Sequence, residues 1–75
     1  MTTDIKPLSL VRWAFPKTKK HRERIKEHGE LWIAITAPIE MQCFDNRIGV
    51  GCESMNTHHY RNIEVDELEV VVDDW

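Results

Sequence analysis

Apolar residues in this chain arrive in short runs that mostly alternate with polar ones, too short for a buried helix but well suited to strands. Residues 8–15 (Leu8, Ser9, Leu10, Val11, Arg12, Trp13, Ala14, Phe15) are rich in β-branched and aromatic side chains and are bounded by Pro7 and Pro16. They read as a first strand, with proline at the ends where a missing N–H costs no ladder bond. Ser9, Val11, Trp13 and Phe15 share one face of it. Residues 30–36 place Leu31, Ile33 and Ile35 on one side and Trp32, Ala34 and Thr36 on the other, and Ala37-Pro38 breaks the run. Ile39 to Cys43 alternates, Asp45-Asn46-Arg47 is turn chemistry, and Ile48 to Cys52 alternates again. Gly49 and Gly51 fall on the second face of that run, which signals a bulge, strong curvature or close backbone contact. After a polar loop at 54–59, Tyr60 to Ile63 reads as a fourth strand. Val65 to Leu68 then reads as one helical turn, and Glu69 to Val72 as a closing strand.

Between the first two runs the character changes abruptly. Residues 17–28 hold six Lys or Arg, two Glu and one aliphatic side chain, Ile25. Thr18 can cap a helix there and Gly29 can stop it. Glu27 can pair with Arg24, and Glu23 with Lys19, Lys20 or Lys26. With Ile25 as its one anchor, this segment is expected to be a short exposed helix, with an ordered loop as the alternative.

At 75 residues the chain is expected to form one domain, residues 1–75, with an ordered core over about 8–72. Such a chain buries roughly 60–65% of its unfolded surface. Its stability is then on the order of 4–11 kcal/mol. A hydrophobic content of 41% and a charged content of 31% are those of an ordinary globular protein and argue against disorder. No apolar run approaches the roughly 20 residues of a membrane span. The first residues lack the pattern of a secretory signal, and two cysteines do not make a disulfide framework. A cytoplasmic protein with reduced thiols is expected. Charge is unevenly placed: residues 1–28 carry +5 and residues 29–75 carry −8, for a net −3. That asymmetry gives the surface two distinct faces.

The order of elements resembles the SH3-like barrel, and residues 61–71 carry the likeness best. In such barrels a fourth strand runs into a 3₁₀ turn with a buried leucine, here Leu68, and then a final strand. The resemblance implies a mainly β fold of about five strands, with residues 17–29 in place of the long loop after the first strand. A small β-roll packed on one helix fits nearly as well. Barrels of this type host unrelated activities, so the likeness implies no function. The type II dihydrofolate reductases are small barrels of this kind, and residues 50–70 are loosely similar to them in layout. Their Val-Gln-Ile-Tyr pore segment is absent here, where His59-Tyr60-Arg61-Asn62-Ile63 stands instead, and the activity is not carried over.

No motif specifies a reaction. Cys43, Cys52, His58 and His59 are the nearest approach to a metal set, but they lack the close ligand pairs of structural zinc sites. The two cysteines alternate in phase with Ile39, Met41, Ile48 and Val50, which marks them as small core residues. Cys52 beside His58 or His59 is the weak candidate for a nucleophile and base. The carboxylates Glu64, Asp66, Glu67 and Glu69 sit where a solvated turn is expected. Neither a catalytic residue nor a cofactor is assigned.

Two binding surfaces remain. Trp13, Trp32, Phe44 and Tyr60, with Trp75 near the acidic end, exceed what so small a core readily hides, and Trp and Tyr are frequent interface anchors. The basic residues Lys17, Lys19, Lys20, Arg22, Arg24 and Lys26 could instead contact phosphates. The expected function is a non-enzymatic binding or adaptor module for another protein, or for a second copy of itself as a homodimer. Nucleic-acid binding through residues 17–28 is the alternative, and an accessory or inhibitor protein of a phage or mobile element the third.

Overall fold

The computed structural model describes residues 5–72. The fold is mainly β: a six-stranded antiparallel sheet curled into a half-barrel, with one short helix. In chain order the elements are β1 (Leu10–Trp13), α1 (Lys19–His28), β2 (Leu31–Ala34), β3 (Ile39–Met41), β4 (Arg47–Ser54), β5 (Tyr60–Glu64) and β6 (Leu68–Val72). Two 3₁₀ turns, Gln42–Phe44 and Val65–Glu67, precede β4 and β6. None of the described helices is long and apolar enough to cross a membrane.

Strand β4 is the hub. Its last residues pair with β2, its first with β3, and its middle with β5, so that Gly49 has partners in both Ile39 and Glu64. Beyond β2 lie β1 and then β6. Six strands form where about five were expected; the run after the Ala37-Pro38 break pairs with β4 as a strand of its own, β3. The curl follows from connectivity. Strands β5 and β6 end the path β5-β4-β2-β1-β6, which in a flat sheet would hold them about 19 Å apart. They are joined by one 3₁₀ turn, Val65–Glu67, and a turn of that length advances only about 6–8 Å. The sheet has to bend round to meet it.

The concave side holds the core: Val11, Trp13, Trp32, Ala34, Val50, Cys52, Ile63, Val65 and Leu68, closed by Ile5. Val11 and Trp13 face inward as the first strand's alternation predicts, and Ser9 is buried with them, while Phe15 lies exposed beyond the strand's end. In β2 the face is the reverse of an exposed-tryptophan surface. Trp32 and Ala34 are wholly buried, whereas Leu31 and Ile35 are 42% and 40% exposed. The register explains it. Trp32 lies opposite Val11 and Ser54, and its ring meets Trp13 edge-on with centroids 5.7 Å apart. Ala34, Val50 and Cys52 are small enough to leave room for two indoles. Both indole N–H groups are satisfied, Trp32 Nε1 donating to the Gly29 carbonyl at 3.0 Å and Trp13 Nε1 to a carboxylate described below.

Asp45 and Asn46 both take positive φ (55° and 64°), the turn chemistry expected of them. The glycines of β4 serve close contact. A methyl group on Gly49 would fall 2.6 Å from the Phe44 ring and 2.7 Å from the Met41 sulfur, and one on Gly51 would run into the Tyr60 hydroxyl. An edge of the Phe44 ring and the hydroxyl end of Tyr60 therefore press against β4 at these glycines. Replacing Gly49 with alanine is expected to cost about 1–3 kcal/mol by overpacking, read as a lower urea midpoint at unchanged slope; an unchanged midpoint would contradict the packing.

Candidate functional site

The basic segment is a helix. Thr18 Oγ1 accepts from the His21 N–H at 3.1 Å, and Gly29, at φ 84°, donates its N–H to the Ile25 carbonyl at 2.7 Å. Ten residues with one aliphatic side chain are marginal as an isolated helix. Polar fastenings hold it at both ends. His21, Ile25 and His28, spaced one and two turns apart, face the sheet and are half-buried.

At the first end the anchor is Glu67, whose residue is 1% exposed. Its Oε1 accepts from Trp13 Nε1 at 3.0 Å and from the Lys17 backbone N–H at 3.1 Å, and lies 2.7 Å from His21 Nδ1. The Glu67 carbonyl also accepts the N–H groups of Ala14 and Phe15, both at 3.0 Å. At the other end His28 Nδ1 meets Thr57 Oγ1 at 2.7 Å, and its ring stacks on His59 at 4.3 Å. Ser54 donates its hydroxyl to the His28 carbonyl at 2.5 Å. Beside Glu67, Glu64 is also buried, with Lys17 Nζ at 2.7 Å and Arg47 Nη2 at 3.7 Å. The hydrogen bond to Glu64 raises the Lys17 ammonium above its ordinary value.

Glu64 and Glu67 are thus not the solvated turn residues expected; only Asp66 and Glu69 between and beyond them face water. Sequence reasoning missed this pair because charge ordinarily marks a surface. No local pattern pointed to it: Glu64 ends β5 in extended backbone and Glu67 closes the 3₁₀ turn that follows.

The aromatic candidates divide. Trp13 and Trp32 are core residues rather than contact anchors, Phe44 is half-buried against Gly49, and Tyr60 is 53% exposed. Trp75 lies outside the described residues. On the convex face, strand pairing aligns Tyr60 with Glu53, Ile33 and Leu10 across four strands. Exposed Leu31 and Ile35 flank Ile33 on the same face of the run. Among the basic candidates, Lys17 is engaged by Glu64 and Asp66, and Arg24 reaches Glu27 at 3.4 Å. Lys19, Lys20, Arg22 and Lys26 project from α1 with no carboxylate in ion-pair reach among the described residues. A cleft of about 260 Å³ opens between α1 and the end of β1, where Trp13, Ala14, Pro16 and Ile25 meet Arg22, Lys26 and Glu30.

Cys43 and Cys52 part company. Cys52 is buried and its thiol donates to the Val50 carbonyl at 3.5 Å, whereas Cys43 lies exposed in the first 3₁₀ turn, because the strand expected to carry it inward stops at Met41. His58 pairs with Glu53 at 2.9 Å on the surface, so it makes no dyad with Cys52. Among the described residues no three His, Cys, Asp or Glu side chains converge as a metal site requires. No family model matches the chain, nor does any curated protein or solved structure.

Two measurements test the anchor and the thiol. Replacing Glu67 with alanine strands two buried N–H groups and His21, and is expected to cost about 3–5 kcal/mol in urea unfolding; a cost below about 1 kcal/mol would show the anchor to be dispensable. Burial pushes the Cys52 thiol from its ordinary 9.0 up to about 12. A thiol reagent at mildly alkaline pH should therefore label Cys43 alone in the folded protein, and both cysteines in urea. Between those two values the unfolded thiol loses its proton while the folded one keeps it. Stability should accordingly fall as pH rises there, and fall less in Cys52→Ala.

Proposed function

We propose that this protein is a non-enzymatic recognition module of the SH3-like type that binds another protein chain through the convex face of its sheet. The pairing of the first strand with the last, the helix in place of the first long loop and the 3₁₀ turn before the last strand support the fold assignment. The observation that carries the function is the exposure of Leu31, Ile35 and Tyr60 on the face that half-buried Ile33 shares, with Glu53 between Ile33 and Tyr60. These side chains are left over after the core has taken both described tryptophans. Tyrosine in such a row supplies a rigid ring with a polar tip, which is why it is common at contact centres.

Nucleic-acid binding through residues 17–28 is the second reading, favoured by Lys19, Lys20, Arg22 and Lys26, which meet no carboxylate among the described residues, and weakened by the loss of Lys17 to Glu64. Salt separates the two, because phosphate contacts weaken steeply with salt and an apolar row does not. Size-exclusion chromatography with light scattering, at low and high salt and with a mixed nucleic-acid pool, should show no nucleic-acid complex. Immobilised protein should retain a salt-resistant partner or second copy that Tyr60→Glu or Leu31→Glu loses and Lys19→Glu keeps. Retention that ignores the convex-face variants, or that dissolves in high salt, would sink the proposal.

A further inference from the structure

We infer that the cleft between α1 and the end of β1 holds one bulky apolar side chain of an acidic peptide segment, with the flanking carboxylates on Arg22 and Lys26. This rests on the reading of the protein as a protein-recognition module and names the chemistry of what one of its surfaces takes. Trp13, Ala14, Pro16 and Ile25 make the cleft apolar, and its volume is about 260 Å³. Pockets for drug-sized ligands run from roughly 300 to 1,000 Å³. A single large side chain fits this one; a dinucleotide cofactor does not.

The charges at the cleft have a direction. Arg22 and Lys26 stand one helical turn apart on α1, and Glu30 lines the cleft from just past the helix's end. Carboxylates of the peptide are thus drawn along the helix and repelled from Glu30. The wall is also rigid in advance, since α1 is tied to the sheet through His21 and Glu67 at one end and His28 and Thr57 at the other. Preorganisation lowers the ordering cost of binding.

A nucleic-acid strand has the charge for α1 but not the shape for the cleft. Single-stranded binding needs an aromatic face on which a base stacks. The Trp13 ring has none free: Trp32 meets it edge-on, His21 leans on it at 5.3 Å, and the Arg61 guanidinium lies 5.7 Å from its centre.

The test is a titration of ¹⁵N-labelled protein followed by amide shifts. Three probes are used: a capped nonapeptide with a central leucine between aspartates and glutamates, the same peptide with a central serine, and an oligothymidylate of matched charge. The leucine peptide should move the amides of Ala14, Ile25, Lys26 and Glu30 and bind at least about tenfold more tightly than the serine peptide. Arg22→Glu with Lys26→Glu should lose that binding while the helical circular dichroism stays, and Glu30→Ala should strengthen it. No shift at these amides overturns the inference, as do equal responses to both peptides or tighter binding of the oligothymidylate at the same residues. Partner retention sensitive to Tyr60→Glu is measured separately, so a failure here leaves the convex-face reading standing, and the reverse.

Discussion

The carboxylate of Glu67 is the contact on which the rest of the molecule leans. One oxygen receives the indole N–H of Trp13, the backbone N–H of Lys17 and the imidazole of His21, and the same residue's carbonyl receives Ala14 and Phe15. Strand β1, the segment leading into α1, α1 itself and the turn before β6 thereby converge on a single side chain. A buried carboxylate is costly unless it is hydrogen-bonded, and the contacts of Trp13, Lys17 and His21 with its oxygen serve that requirement. The arrangement also explains why a helix so poor in apolar residues stays docked. Its stability is borrowed from the sheet through polar contacts at its two ends, which frees its outer side to carry cations.

Much of the architecture was legible in the chain because period-2 alternation and turn residues have direct backbone causes. Pro7 and Pro16, Asp45-Asn46, Thr18 and Gly29 each mark a boundary within a few residues of where it lies. The face of β2 was not legible. Both of its sides are apolar, so alternation alone could not say whether Trp32 or Ile33 turns inward; the register with β1 and β4 decides. The inward carboxylates were not legible either, since their burial depends on donors some 50 residues away in sequence, from Trp13 and Lys17. Cys43 misled for a local reason: the chain leaves extended geometry at Gln42.

The outer surface of the sheet and helix is chemically divided. The convex side offers apolar rows around Tyr60 and Ile33, while α1 offers charge beside a small apolar cleft. Two unlike surfaces on so small a domain arise from the same economy of space. The half-barrel fills itself with two indoles and small residues, so aliphatic side chains that a larger core would absorb remain at the surface. The basic helix, for its part, keeps its cations exposed because only His21, Ile25 and His28 are partly buried along it.

The pairing of β1 with β6 has a consequence for how the chain comes together. Arg12 and Glu69, joined across those strands, are 57 positions apart, whereas β4 and β5 are linked by a loop of a few residues. Closing the longer loop carries an entropic cost greater by about 1–2 kcal/mol. The consecutive hairpins of β3, β4 and β5 are therefore the cheaper nucleus, and the outer pair is the seam that zips last. Until it does, Trp13 has neither the Glu67 carboxylate nor a finished wall behind it. The Trp13 indole thus stays partly uncovered until β6 is made, and an apolar ring left open in that interval invites aggregation.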